Sequence, residues 1–277
     1  MTTNVRFAFI AASMLAITAF AAEPVKVNDG DMIAFLGDSI TEYGNGPVGY
    51  VNLVMKGLEV AGVTNAVKIP AGRSGHKSDN MRGRLQNDVL DKHPQWMTLS
   101  CGVNDVWHGA RGVPLDAYKT NISNILDRCA EAGVKVVVLT ATMIGEDPNN
   151  VNNRRLAAYN DFLREEAAAR RLPLADLNAD MQALLKTYPP EVKGNKLTAD
   201  GVHMAWDGNR MMARGVLRAF GVPEEALPEI EKAWRQIRGF REYRISVSAD
   251  EAKAIEERAK ADGRNVVESA RDFLLGK

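Results

Sequence analysis

Met32-Ile33-Ala34-Phe35-Leu36-Gly37-Asp38-Ser39-Ile40-Thr41 decides the architecture of this 277-residue chain. Five apolar residues in a row, closed by a glycine, are too short for a buried helix and show no polar alternation. They fit a strand covered on both faces. Such strands belong to parallel sheets, whose ligands bind outside the carboxyl ends of the strands. Ser39 stands where that rule places chemistry.

The pattern repeats outward from this stretch. Segments 66–69, 96–100, 134–140 and 174–177 also read as short buried strands. Helical patterns fall between them, at 50–61, 78–90, 115–132 and 154–170, and in the third Ile122, Ile125, Leu126 and Cys129 recur at helical spacing. Strand and helix in alternation predict an α/β fold with a five-stranded parallel sheet. A last helix is expected to open at Asp207-Gly208 and to bury Met211, Met212, Val216, Leu217 and Phe220. The fold should end near Gly221-Val222-Pro223.

Two further blocks share the edge on which Ser39 lies, and a third stands in a loop beyond the strands. Gly72 follows the second strand, Gly102-Val103-Asn104-Asp105 the third, and Asp200-Gly201-Val202-His203 precedes the last helix. A serine hydroxyl is a weak nucleophile at neutral pH and needs a base within hydrogen-bond reach. The bland alternative for Ser39 is a serine that caps the turn after its strand. The base must be one of four histidines. His93 precedes Pro94 at the wrong end of the sheet, His76 stands beside Lys77, and His108 has no carboxylate at a useful spacing. His203 alone follows an Asp by three positions on a turn, so Asp200 can accept from Nδ1–H while Nε2 faces Ser39. A simple capping role is the other reading of Asp200. Ser74 lies in Gly72-Arg73-Ser74-Gly75, which lacks the Gly-x-Ser-x-Gly spacing of a nucleophile elbow.

With all four blocks in one order, the chain resembles the SGNH (GDSL) hydrolases, a family named for these Ser, Gly, Asn and His residues. The resemblance spans about Asp31 to Gly221. It implies a flavodoxin-like three-layer α/β/α fold and a Ser39–His203–Asp200 triad. It also implies an oxyanion hole built from the backbone N–H groups of Ser39 and Gly72 and the side-chain amide of Asn104. Glycine at 72 suits a close backbone approach. Asp38 and Asp105 are then expected to brace the site from behind. Met204 departs from the family pattern, which often carries proline after the histidine. From loop position alone, Trp107, His108, Met143, Ile144, Met204 and Trp206 are candidates for the pocket wall.

Composition bounds the rest. Basic and acidic residues balance at 35 each, so the average shows no nucleic-acid or anionic-membrane footprint. Aromatic residues make up 6%, few for a broad sugar-stacking cleft. No His-Glu-x-x-His, Cys pair or acidic cluster suggests a metal, and no cofactor is expected. Residues 1–21 read as a secretory signal: Arg6, an apolar run over 7–20, then Ala19-Phe20-Ala21 as a cleavage site. An uncleaved anchor or a lipoprotein signal are the alternatives, and no cysteine lies near the cleavage site. Export invites a disulfide. Cys101 at a strand end and Cys129 far along the next helix would be separated by about 22 Å of helix, so both are expected free and buried.

After a hydrolase domain over 22–222, residues 223–277 form an expected appendage. A helix over 228–237 precedes an alternating strand at 243–247, then helices over 249–261, with Ala252, Ile255 and Ala259 on a buried face, and over 265–275. Strand-helix-helix weakly resembles a ribbon-helix-helix unit. Behind an export signal a packing or dimerisation element, giving a homodimer, is the favoured reading, with no nucleic acid as partner. The resulting expectation is an exported esterase acting on short acyl esters, acetyl groups on carbohydrates above all. A lysophospholipase or short-chain arylesterase and a non-catalytic glycan-binding protein are the alternatives.

Overall fold

The computed structural model describes residues 25–192, 194–237, 248–263 and 269–270. The expected leader and the alternating segment 243–247 lie outside the described residues, as does most of 265–275.

Strands β1 (Met32–Gly37), β2 (Val67–Gly72), β3 (Trp96–Ser100), β4 (Lys135–Leu139) and β5 (Leu174–Ala175) form one sheet in the order β2-β1-β3-β4-β5. Every pairing is parallel. Helices α1 (Ser39–Gly44), α2 (Tyr50–Val60), α3 (Ser78–Asp88), α4 (Val103–Trp107) and α5 (Leu115–Glu131) accompany the first three strands and lead to β4. Then come α6 (Val151–Arg170), α7 (Leu177–Leu185), α8 (Trp206–Ala219), α9 (Leu227–Trp234) and α10 (Ala249–Ala261). The sheet runs β1 to β2 in one direction and β3 to β5 in the other. That reversal opens a crevice between β1 and β3 at their carboxyl ends.

Burial explains the strands. Ile33, Ala34, Phe35 and Leu36 of β1 are fully buried, as are Met97, Thr98 and Leu99 of β3, so both faces of the centre are dry. Around the sheet α2 packs on α8 and α9, α7 on α8, α3 on α5, and α5 on α6. Cys101 and Cys129 are free and buried.

Element boundaries differ from expectation where local polar chemistry intervenes. β2 runs three residues past 69, through Pro70 and Ala71 to Gly72, because it is an edge strand on which a proline costs no ladder bond. β5 stops at Ala175 because Asp176 caps α7, accepting from Ala179 N–H at 3.3 Å. Helix α8 opens at Trp206, one residue before the expected Asp207. Short helices α1, α4 and α7 carry too few turns for apolar periodicity to reveal them. Helix α10 coincides with the expected 249–261, its Ser248–Glu251 capping box closed and Ile255 and Ala259 buried.

Helix α9 extends the core past residue 222. Trp234 is fully buried, and its indole N–H donates to Leu53 O at 2.8 Å on α2. Replacing Trp234 by Ala should cost roughly 3–5 kcal/mol of stability, read as a lowered urea midpoint. A chain ending after about Arg238 keeps this contact and should melt cooperatively, whereas one ending at Val222 should not. Cooperative melting of the shorter chain would refute the structural role of α9.

Candidate active site

Ser39 begins α1 directly at the end of β1. Asp38 caps that helix, its Oδ1 accepting from Ile40 N–H at 2.9 Å, and its carbonyl accepts from Glu42 N–H at 2.9 Å. These bonds lock the first turn and fix the direction of the Ser39 N–H. Gly37 and Gly72 pair across β1 and β2, which sets Gly72 beside α1. A Cβ on Gly72 would fall 2.3 Å from Glu42 N and 2.7 Å from Thr41 C, so only glycine lets the helix backbone approach this closely. Asn104 follows β3 on α4 and is buried. Its amide donates one hydrogen to His76 O at 3.1 Å, leaving the second for another acceptor.

The fourth block arrives from the loop before α8. Thr198 and Met204 bridge antiparallel, and Ala199 N–H donates to His203 O at 2.8 Å, which folds 198–204 into a tight turn. Gly201 takes a positive φ of 95° within it. Both readings of Asp200 hold at once. Its Oδ1 accepts from the backbone N–H of Val202 (3.0 Å) and His203 (2.8 Å), while Oδ2 accepts from His203 Nδ1 at 2.6 Å. His203 Nε2 stands 2.8 Å from Ser39 Oγ. A carboxylate only accepts, so Nδ1 carries the proton and Nε2 is free to receive one from the hydroxyl.

Two carboxyl groups near Ser39 titrate in opposite directions. Partial burial pushes Asp200 up, but the hydrogen bonds from His203 and Val202 and the imidazole charge outweigh it and hold the group at about 2. Asp38 is pushed up to about 7 by burial and by the negative charge of Asp105, against the Ile40 hydrogen bond and the nearby His203. Asp105 is itself raised by burial, opposed by bonds from the Ser78 hydroxyl (2.6 Å) and N–H (3.0 Å). It therefore ties α4 to the start of α3.

The pocket candidates divide. Trp107 is 45% exposed, and His108, Met204 and Trp206 are partly exposed near the same edge. Met143 and Ile144 do not wall an open pocket. Both are buried, Met143 N–H meeting Met181 Sδ at 3.4 Å and Ile144 N–H donating to Asn153 Oδ1 at 2.9 Å. The chain after β4 turns inward under α6 and α7. Three residues went unread in the sequence. Tyr43, four positions after Ser39, sets its ring 4.9 Å from the His203 imidazole and is 59% exposed. Glu146 accepts from the backbone N–H of Lys196, Leu197 and Thr198 at 2.6 to 2.8 Å and so holds the root of the His203 turn. Arg84 lies beneath Gly37 and Ala71. Among the described residues no group of His, Cys, Asp and Glu could hold a metal ion.

Acyl-transferring serine hydrolases are recognised by this geometry and not by residue order. Residues 35–211 match the GDSL-like lipase/acylhydrolase family, and the chain belongs to it, a carboxylic ester hydrolase of SGNH type. It is similar to the acetylxylan esterase of Geobacillus stearothermophilus, 24% identical over 216 residues that span 71% of this chain and 97% of that one. The crystal structure of that enzyme has a TM-score of 0.63 at 25% identity, covering 71% of this chain and 96% of that one. A solved acetyl xylan esterase, AlAXEase, is 32% identical with a TM-score of 0.64, covering 68% of this chain and 98% of that one. An uncharacterized lipoprotein, YqeF, of Bacillus subtilis (strain 168) is 24% identical over 216 residues, 64% of this chain and 87% of that one. Catalytic mutants of the Geobacillus enzyme replace a serine, and an aspartate and a histidine three positions apart.

The raised Asp38 group has a stability consequence. The unfolded carboxyl releases its proton near the ordinary aspartate value of 3.8, the native one only near 7. Its contribution is complete below the unfolded value and is lost as pH rises through 7. Asp38→Asn removes that titration. The melting temperature of the wild type relative to Asp38→Asn should therefore fall between pH 4.5 and 8, and parallel curves would refute the assignment.

Proposed function

We propose that this chain is an exported serine esterase that removes acetyl groups from carbohydrates through an acyl-enzyme, without a cofactor. One observation carries the chemistry: His203 stands between Ser39 Oγ at 2.8 Å and Asp200 Oδ2 at 2.6 Å, at the carboxyl edge of the sheet. The carbohydrate substrate is supported by the acetylxylan esterases it resembles. Export is supported by the signal-like residues 1–21 and by the lipoprotein relative.

In the first half-reaction Ser39 Oγ attacks the ester carbonyl carbon while its proton passes to His203 Nε2. The carbonyl oxygen becomes an oxyanion, received by the N–H groups of Ser39 and Gly72 and the free amide hydrogen of Asn104. Asp200 stabilises the imidazolium and keeps the proton of Nδ1 in place. The tetrahedral carbon expels the sugar oxygen, which takes the proton from Nε2, and the acyl group remains on Ser39. Water then attacks that carbonyl and gives its proton to Nε2. The second tetrahedral carbon releases the free acid as the proton returns to Ser39 Oγ.

The deciding measurement is acetate release by the mature protein from acetylated xylan and xylo-oligosaccharides, beside nitrophenyl esters of increasing chain length. Acetyl and butyryl esters should be favoured, with kcat/KM falling beyond them. A rise through decanoyl would move the reading to a lysophospholipase or lipase, and no turnover of any ester to a binding protein. Ser39→Ala should abolish activity and labelling by a fluorophosphonate while leaving the melting temperature nearly unchanged. Labelling at Ser74 would overturn the nucleophile. Asn104→Ala should lower kcat by roughly 10²–10³-fold with little change in KM.

A further inference from the structure

Among the described residues Arg84 is the guanidinium that bonds the carbonyls at the ends of β1 and β2, and only 8% of it is exposed. Four hydrogen bonds leave it. Nη2 donates to Gly37 O and Nη1 to Ala71 O, both at 2.8 Å. Nη1 also meets Asp88 Oδ2 at 2.8 Å, and Nε donates to His76 Nδ1 at 3.0 Å. Ion pairing explains only the Asp88 bond; the other three acceptors are Gly37 and Ala71 at the ends of β1 and β2 and His76 in the loop after β2.

Each bond constrains one donor. Ala71 C=O and Gly72 N–H share a single planar peptide unit, so holding the oxygen aims the hydrogen. Gly37 C=O is the last carbonyl of β1 before the Asp38 cap of α1, and it also accepts from Arg73 N–H at 3.0 Å. Holding it fixes where α1, and with it the Ser39 N–H, departs from the strand. Arg84 cannot accept a hydrogen bond, so His76 meets it with an unprotonated Nδ1. That seats the residue whose carbonyl takes one hydrogen of Asn104 at 3.1 Å and so turns the other outward.

We propose that Arg84 is a positioning residue for the oxyanion hole, aligning all three donors from behind through Gly37, Ala71 and His76. The proposal rests on the esterase reading above. Its signature is catalytic, because donors aimed at an oxyanion act in the transition state and hardly at all on bound substrate. A lysine at 84 keeps the charge but loses the planar fork and most of the bonds.

The test uses Arg84→Lys and His76→Ala in the mature chain, with kcat expressed per active site titrated by a fluorophosphonate run to completion. Arg84→Lys should lower kcat on 4-nitrophenyl acetate roughly tenfold or more, with KM within about threefold of wild type. His76→Ala should lower it in the same direction. The double variant should lose less than the product of the two single losses, since one bond joins them. A purely structural arginine would lower the melting temperature and the number of titratable sites but leave kcat per site unchanged, and that result overturns the proposal. Strict multiplication of the two losses overturns the route through His76. If Arg84→Lys does not fold, His76→Ala decides alone, an unchanged kcat per site refuting the proposal. A wild type that neither labels nor hydrolyses any ester would instead refute the esterase reading itself, and Arg84's role with it.

Discussion

Backbone N–H and C=O groups buried at the carboxyl edge of the sheet must find partners, and the ladder cannot supply them once the strands have ended. Side chains do so instead. Arg84 takes Gly37 O and Ala71 O, Asp38 takes Ile40 N–H, and Asp105 takes Ser78 N–H. Asn160 serves both polar groups of Ala141, and Asn153 both of Ile144. Glu146 receives three successive N–H groups before the His203 turn. Loops whose buried backbone groups are held by side chains in this way are restrained, because leaving such a group unpaired costs about 1–3 kcal/mol. The rigidity that an oxyanion hole requires follows from this constraint.

The same edge sorts its carboxyl groups by surroundings. Asp200 is half exposed and accepts three hydrogen bonds, so it stays ionised to about pH 2 and can face an imidazolium. Asp38 is buried with Asp105 nearby and holds its proton to about 7. Near neutrality the region behind Ser39 therefore carries less negative charge than its count of carboxyl groups suggests. A negative field there would oppose the oxyanion. The two environments place one full charge behind the base and a muted one behind the nucleophile.

Most of the fold was legible because it is written in apolar runs. The stretches 32–36 and 96–100 have no polar residue to compete with burial beyond Thr98 and Ser100, and β1 and β3 occur there. The proposed triad was legible for a different reason: few histidines, and a turn that places an Asp three positions before one of them. What was not legible is polar burial. Arg84 shares a helical face with Met81 and Leu85, three and one positions away, and all three are buried. That spacing was the available signal, but an arginine in a polar helix reads as solvated when apolar periodicity is the guide. Met143 failed in the opposite sense: loop position suggested a wall, while Asn153, Asn160 and Met181 draw that segment inward. Tyr43 was missed because six residues of helix are too few to show a period.

The surroundings of Ser39 also bear on how large a substrate the site admits. A cavity of about 380 Å³, lined by residues such as Pro47, Asn52, Met55 and Ile237, includes none of the site residues. Beside His203, by contrast, Tyr43 presents 59% of its surface to solvent, and Asp200 about half of its side chain. Enclosed sites gain by excluding water around a small substrate, but they also exclude esters borne on a polymer. On the proposed reading, an edge left open among the described residues, with the His203 turn held by Glu146 and the carbonyls of Gly37 and Ala71 held by Arg84, lets the acyl group enter while the bulk of the alcohol stays outside. Selectivity is then divided. On the reading proposed above, the acyl group is met at Ser39 and His203, while the exposed Tyr43 ring beside His203 offers the alcohol side apolar contact.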